Sequence, residues 1–258
     1  MYDTVVSGCS FTAANFKSHA APDVDTSWPK WPELLGNEMG WSVLNVAKSG
    51  YSNERICEEA IEAIKENSNI KRCIIAASGW TRFSLFGYNF MWDFIMQKET
   101  GLEVMKLWGD EDPETNPIYL KQTRDLKEIV RLVEVKEEKA YRHSLKKQLY
   151  ALDYLRLVCK QRNIELYFFQ MLPIVNHLFI DRYNIKQQVL NSYEYKTMKR
   201  ECKFIKRYDS LYENNIILMS FSDKKLSDKD LRVSEYDQHP NKLCHELIAL
   251  WLKEEING

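Results

Sequence analysis

Five short runs of β type, Thr4 to Ser7, Trp41 to Val46, Arg72 to Ala77, Ile164 to Gln170 and Asn215 to Met219, alternate along this chain with stretches of helical periodicity. Short apolar strands separated by helices predict crossover units, in which successive strands lie parallel and the helices cover the faces of the sheet. The expected class is therefore α/β with a mainly parallel sheet. One helix is expected from about Asn53, where Ile56, Ala60, Ile61 and Ile64 recur at helical spacing, with Asn53 as the cap and Glu54 favourable in the first turn. A longer helical pattern covers about Lys121 to Arg162, and its basic stretch from Arg142 to Lys147 reads as a solvated face. The last helix is expected after Pro240, turning Leu243, Leu247, Ile248, Leu250 and Trp251 to the core.

A chain of 258 residues that is 45% hydrophobic can bury one substantial core, so residues 1–258 are read as a single domain with an insertion. The alternation breaks between Phe83 and Tyr119 into an aromatic segment, FSLFGYNFMWDF, and an acidic one, GDEDPETNP. A connection this long is commonly a lid, and residues 83–119 are expected to form a cap. A second region without clear periodicity, Ile174 to Tyr212, is read as another cap or a partner surface.

The 36 basic and 37 acidic residues nearly cancel, which argues against nucleic acid or an anionic membrane as partner. No apolar stretch approaches the roughly 20 residues of a membrane helix, and the N-terminus lacks the layout of a signal peptide, so a cytoplasmic protein is expected. The six cysteines are scattered singly with no C-x-x-C pair, a pattern that favours free thiols over a disulfide framework or a metal site. Trp28, Trp31, Trp80, Trp92 and Trp108 fall in or near expected loops, where they would either line a carbohydrate or acyl site or seal the core.

In an open parallel sheet, ligands bind beyond the carboxyl ends of the strands. After the first run comes Gly8-Cys9-Ser10-Phe11-Thr12; after the second, Asn45 to Asn53, NVAKSGYSN; after the third, Ser78-Gly79-Trp80-Thr81-Arg82; and near the end of the chain, Asp237-Gln238-His239-Pro240-Asn241. A serine released from a strand by a glycine can present its hydroxyl above the sheet edge, and a distant Asp-x-His can supply a base and its orienter. Each also has a plainer reading. Ser10 would be a turn former, His239 a helix-entry residue and His245 a surface or core-edge residue. Cys9 is a rival nucleophile, but consecutive residues in a tight turn point apart.

In order and spacing these segments resemble the SGNH, or GDSL-like, hydrolase family: GCSFT its first motif, NVAKSGYSN its glycine motif and DQHPN its final motif. The resemblance implies a three-layer flavodoxin-like fold and an ester or acyl hydrolase that needs no cofactor or metal and acts on a small-molecule or carbohydrate ester. Ser10 would be the nucleophile, His239 the base and Asp237 the orienter. The backbone amides of Ser10 and Gly50 would face the oxyanion. Apart from the resemblance, Trp80 and Arg82 are read from their place after the third run as substrate contacts, with Arg82 either clamping an anionic or sugar group or forming a plain salt bridge.

Two positions depart from the family pattern. Thr81 stands where an oxyanion-hole Asn is usual, leaving Thr81 or nearby Asn53 to supply the third donor. Asp237 lies two residues before the histidine, whereas the usual carboxylate position, three before, holds Tyr236. The alternative reading is a catalytically degenerate binding or assembly module on the same scaffold.

Overall fold

The computed structural model describes residues 1–18, 21–85, 88–91, 139, 141–175, 183–203, 228–234, 237 and 239–258. Among them four strands form one parallel sheet: β1 (Thr4–Ser7), β2 (Val43–Asn45), β3 (Arg72–Ala77) and β6 (Glu165–Gln170), in the order β2-β1-β3-β6. Val5 pairs with Leu44 on one side and Cys73 on the other, and Ile75 pairs with Phe168. The chain leaves β1 for a neighbour on one side and then crosses back to a neighbour on the other. That reversal is the switch point of a flavodoxin-like sheet, where a crevice opens between the carboxyl ends of β1 and β3. A separate antiparallel hairpin, β4 (Arg82–Leu85) and β5 (Tyr88–Met91), follows β3.

Alternation along the strands divides the core in two. Val5, Cys73, Ile75, Leu166 and Phe168 face one side, where they meet α2 (Asn53–Glu66) and α3, the helix over residues 141–161. Val6, Ile74, Ala76, Tyr167 and Phe169 face the other, against α1 (Trp31–Met39) and α6 (Lys242–Asn257). Helices on both faces of the sheet give three layers. Each fully buried Ile or Phe contributes about 1.5–3 kcal/mol by leaving water, which makes this the main force holding the sheet between its helices.

Several expectations are corrected. The cap of α2 is Ser52, whose hydroxyl accepts from Arg55 N at 3.4 Å; Asn53 is the first helical residue and its amide is engaged elsewhere. The region from Ile174 to Tyr212 contains two helices, α4 (Ile185–Asn191) and α5 (Tyr193–Glu201), the second capped by Ser192 and burying Tyr195 and Met198. They are too short and polar to show a clear apolar period. In α6 Leu250 is exposed, and Cys244, His245, Ala249 and Leu252 join Leu247, Ile248 and Trp251 in the core.

On α3 the stretch from Arg142 to Lys147 does expose Arg142, His143, Lys146 and Lys147. Although scattered in sequence, Cys57, Cys73 and Cys159 meet in the core beneath α2 and α3, with Cys202 packed against them. Burial pushes the thiols of Cys57, Cys73 and Cys202 up, away from the reactive thiolate. The expected strand at Asn215 to Met219 and the start of the helical pattern at Lys121 lie outside the described residues. So does most of the expected cap at 83–119, apart from the β4–β5 hairpin. No helix among the described residues is long and apolar enough to cross a membrane.

Candidate active site

Immediately after β1 the backbone turns once as a helix would: Thr12 N and Ala13 N both donate to Cys9 O, at 2.9 and 3.1 Å. Ser10 rides on this turn at the carboxyl end of the central strand. Gly8 is required there by space. A Cβ at Gly8 would lie 2.5 Å from Thr12 Oγ1, closer than real Cβ contacts permit. The next loop is laced to this one, since Lys48 N donates to Gly8 O at 3.3 Å and Asn45 Nδ2 donates to Thr12 O at 2.9 Å. Asn45 also donates to Glu33 Oε1 of α1 at 3.0 Å.

The Asp-x-His segment enters from the other end of the chain. Asn241 caps α6 by accepting from Cys244 N at 3.0 Å, and its Nδ2 donates to Asp230 O and Arg232 O at 2.7 and 3.1 Å. These contacts tie α6 to the 3-10 helix Asp228–Leu231. Between them the chain doubles back, with Val233 N donating to His239 O at 2.9 Å and Ser234 N to Asp237 O at 3.3 Å. In this loop Asp237 Oδ1 accepts from the backbone N of His239 at 2.9 Å and lies 2.5 Å from His239 Nδ1. An aspartate that bonds the amide two residues on forms an Asx turn. The turn brings a carboxylate at spacing two into line with the ring.

The opposite ring nitrogen, His239 Nε2, lies 2.8 Å from Ser10 Oγ. With Asp237 holding the proton on Nδ1, Nε2 is free to accept from the Ser10 hydroxyl. Burial pushes the Asp237 carboxyl up, but the hydrogen bond and charge of His239, together with the Ser18 hydroxyl, outweigh it and draw the group down to about 2. The carboxylate is thus ionised at neutral pH.

Three further residues complete the surroundings of the His239–Asp237 pair; of these only Phe11 falls within a motif segment, and nothing in the sequence marks any of the three for that role. Phe16 stacks on His239 with ring centroids 4.2 Å apart and Phe11 approaches at 4.7 Å. Ser18 Oγ donates to Asp237 Oδ2. Ser18 and Asp237 are 219 positions apart, so no local pattern could have paired them.

The loop after β3 is built differently from expectation. Asn53 Oδ1 accepts from Ser78 N at 2.8 Å, and its Nδ2 donates to Ser78 O at 3.1 Å. The amide therefore splices α2 to the end of β3. Trp80, expected to contact substrate, is fully buried in the core: its Nε1 donates to Gln170 Oε1 at 3.1 Å, and its ring meets Tyr195 edge-on at 5.8 Å. Trp31 is likewise fully buried, against Phe169, so neither ring can serve as a sugar platform. Trp92 and Trp108 lie outside the described residues.

Thr81 is buried beside Gly79, and Gly50 takes a left-handed φ of 80°, which a residue with a side chain would adopt only under strain. Among the described residues the backbone N–H groups of Ser10 and Gly50 have no acceptor. Arg82 is half-buried, and its Nη1 is buried without an acceptor among the described residues. His245 is a core residue, not a surface one. Its Nδ1 accepts from Trp31 N at 3.3 Å, and burial, with the nearby positive charges of Lys30 and His239, lowers it to about 3.

No protein-family model matches the sequence, and no curated protein sequence matches it. Solved structures do. A protein assigned to the G-D-S-L lipolytic family from Desulfitobacterium hafniense DCB-2 is 14% identical, with a TM-score of 0.46 over 98% of this chain and 99% of its own. The psychrotrophic esterase EstA from Pseudoalteromonas sp. is 12% identical, with a TM-score of 0.45 over 99% of this chain and 97% of its own. A protein named TesA is also 12% identical, with a TM-score of 0.45 over 98% of both chains. The chain is similar to these proteins along nearly its whole length.

Proposed function

We propose that this chain is a serine-dependent ester hydrolase. The observation that carries the reading is the continuous hydrogen-bonded line from Ser10 Oγ through His239 to Asp237, with separations of 2.8 and 2.5 Å. An aliphatic hydroxyl becomes an effective nucleophile when a positioned imidazole removes its proton as it attacks. In the proposed reaction Ser10 Oγ adds to the ester carbonyl while His239 Nε2 takes the hydroxyl proton. The carbonyl π electrons move to oxygen, and the N–H groups of Ser10 and Gly50, with the Thr81 hydroxyl, receive the oxyanion. Collapse expels the alcohol, which takes the proton from His239. Water, deprotonated by the same nitrogen, then releases the acid and restores Ser10.

For the third oxyanion donor, Thr81 is favoured over Asn53, whose amide is already bonded through both its oxygen and its nitrogen to Ser78. Arg82, with a buried Nη1 lacking an acceptor among the described residues, is the group for an anionic substituent of the substrate. Acylated carbohydrates are the substrate class to assay beside simple aryl esters. The test is labelling by a fluorophosphonate followed by peptide mapping. Modification of Ser10 that disappears in His239→Ala supports the hydrolase, and a folded protein whose Ser10 is never labelled refutes it.

The second reading, a binding or assembly module, is favoured by the same engagement of Asn53, which leaves a threonine as the side-chain donor after β3. It predicts no turnover of any ester by a protein that is folded.

A further inference from the structure

We propose that Ser18 and Phe16 are positioning residues for the His239–Asp237 pair, forming a clamp built from the segment after β1. Ser18 Oγ accepts from Ala21 N at 2.8 Å, and its own proton goes to Asp237 Oδ2. That contact holds the second carboxylate oxygen, so the first stays on the ring and amide of His239. Ser18 is buried, which keeps water from replacing its hydroxyl. On the imidazole face, Phe16 stacks at 4.2 Å with planes 28° apart, and Phe11 leans in at 4.7 Å and 41°. The Phe16 backbone is itself fastened, its carbonyl accepting from Thr26 Oγ1 at 2.8 Å.

The clamp acts in two ways. It fixes the plane of the ring, so that Nε2 stays on Ser10, and it places aromatic faces against a ring that becomes a cation when it accepts the serine proton. A cation over an aromatic face is stabilised, and here the charge develops only along the reaction path. Both effects therefore act on kcat and leave KM largely alone. This inference rests on the hydrolase reading for its kinetic arm only.

The experiment compares wild type with Ser18→Ala, Ser18→Thr, Phe16→Leu and Phe16→Tyr. It measures kcat and KM on p-nitrophenyl acetate and the downfield proton resonance of the His239 Nδ1–H bond to Asp237. Ser18→Ala and Phe16→Leu should each lower kcat by about 10-fold or more with KM within about two-fold, the cost of a misplaced base. Ser18→Thr or Phe16→Tyr, which keep the hydroxyl or the ring, should recover most of the loss. The downfield resonance should shift or broaden in Ser18→Ala. If wild type itself hydrolyses no ester, the function fails while a shifted resonance still supports the clamp. Folded Ser18→Ala and Phe16→Leu proteins with unchanged resonance and unchanged kcat would overturn it.

Discussion

Oδ1 of Asp237 holds His239 twice, at the ring nitrogen (2.5 Å) and at the backbone amide (2.9 Å). One carboxylate oxygen thus folds the loop and orients the base, so the two jobs can be separated by substitution. Asn at this position can still accept from the amide and keep the Asx turn, but its neutral amide no longer enforces the tautomer or stabilises an imidazolium. Asp237→Asn should stay folded by circular dichroism and lose roughly 10³- to 10⁴-fold in kcat. Asp237→Ala should add a loss of thermal stability.

Ser10→Ala and His239→Ala should each reduce hydrolysis of short-chain aryl esters to near background. The double variant should be scarcely worse than either, since the two residues act as one proton-transfer unit. Steady-state rates of the three proteins decide this. Activity in Ser10→Ala equal to wild type would remove the nucleophile assignment.

Thr81 and Asn53 should separate by what they damage. Thr81→Val removes a donor that is used mainly in the transition state, and kcat should fall about 10-fold or more with KM nearly constant. Asn53→Ala instead strands the backbone N–H of Ser78, whose carbonyl keeps its bond from Gln170 Nε2, and should cost about 1–3 kcal/mol of stability, read as a lower denaturant midpoint. An Asn53→Ala protein of normal stability and low kcat would reverse the two roles.

Trp80 and Arg82 should likewise part company. Trp80→Ala empties a fully buried core position and should destabilise the protein by about 3–5 kcal/mol. Arg82→Ala should instead raise KM for esters bearing a carboxylate more than for neutral ones of the same size. Equal effects on both substrates would show that Arg82 contacts no substrate anion.

His245 predicts an acid-sensitive fold. Its folded pKa is depressed to about 3 from an ordinary 6.5, so between those values the unfolded chain binds a proton that the native chain does not. Stability should be complete above pH 6.5 and fall on acidification toward pH 3, by up to about 1.4 kcal/mol per pH unit. Asp237, depressed to about 2, adds a second loss only below about pH 4, as its carboxylate is neutralised. Urea midpoints at pH 7 and pH 4.5 should differ in wild type and converge in His245→Gln.

What the sequence determined by itself is local. Short apolar runs of β type at Thr4 to Ser7 and Arg72 to Ala77 specify strands, the 3.6-residue period after Asn53 specifies a helix, and the succession of strands and helices specifies a parallel α/β sheet. The same local chemistry marks Ser10 after a glycine and Asp237 near His239, because turn geometry needs only neighbouring residues. Which distant surfaces meet is settled by the packing of the whole chain. Ser18 reaches Asp237 and Phe16 covers His239 only because the segment after β1 packs on the loop before α6. Ser52 caps α2 in place of Asn53 because the Asn53 amide is drawn to Ser78 across the sheet edge. Trp80 goes inward because Gln170 and Tyr195 offer its indole a hydrogen bond and an aromatic edge within the core. Hydrophobic burial is nondirectional, and a pairing between remote segments is selected by how the whole core fills, so no short stretch of sequence encodes it.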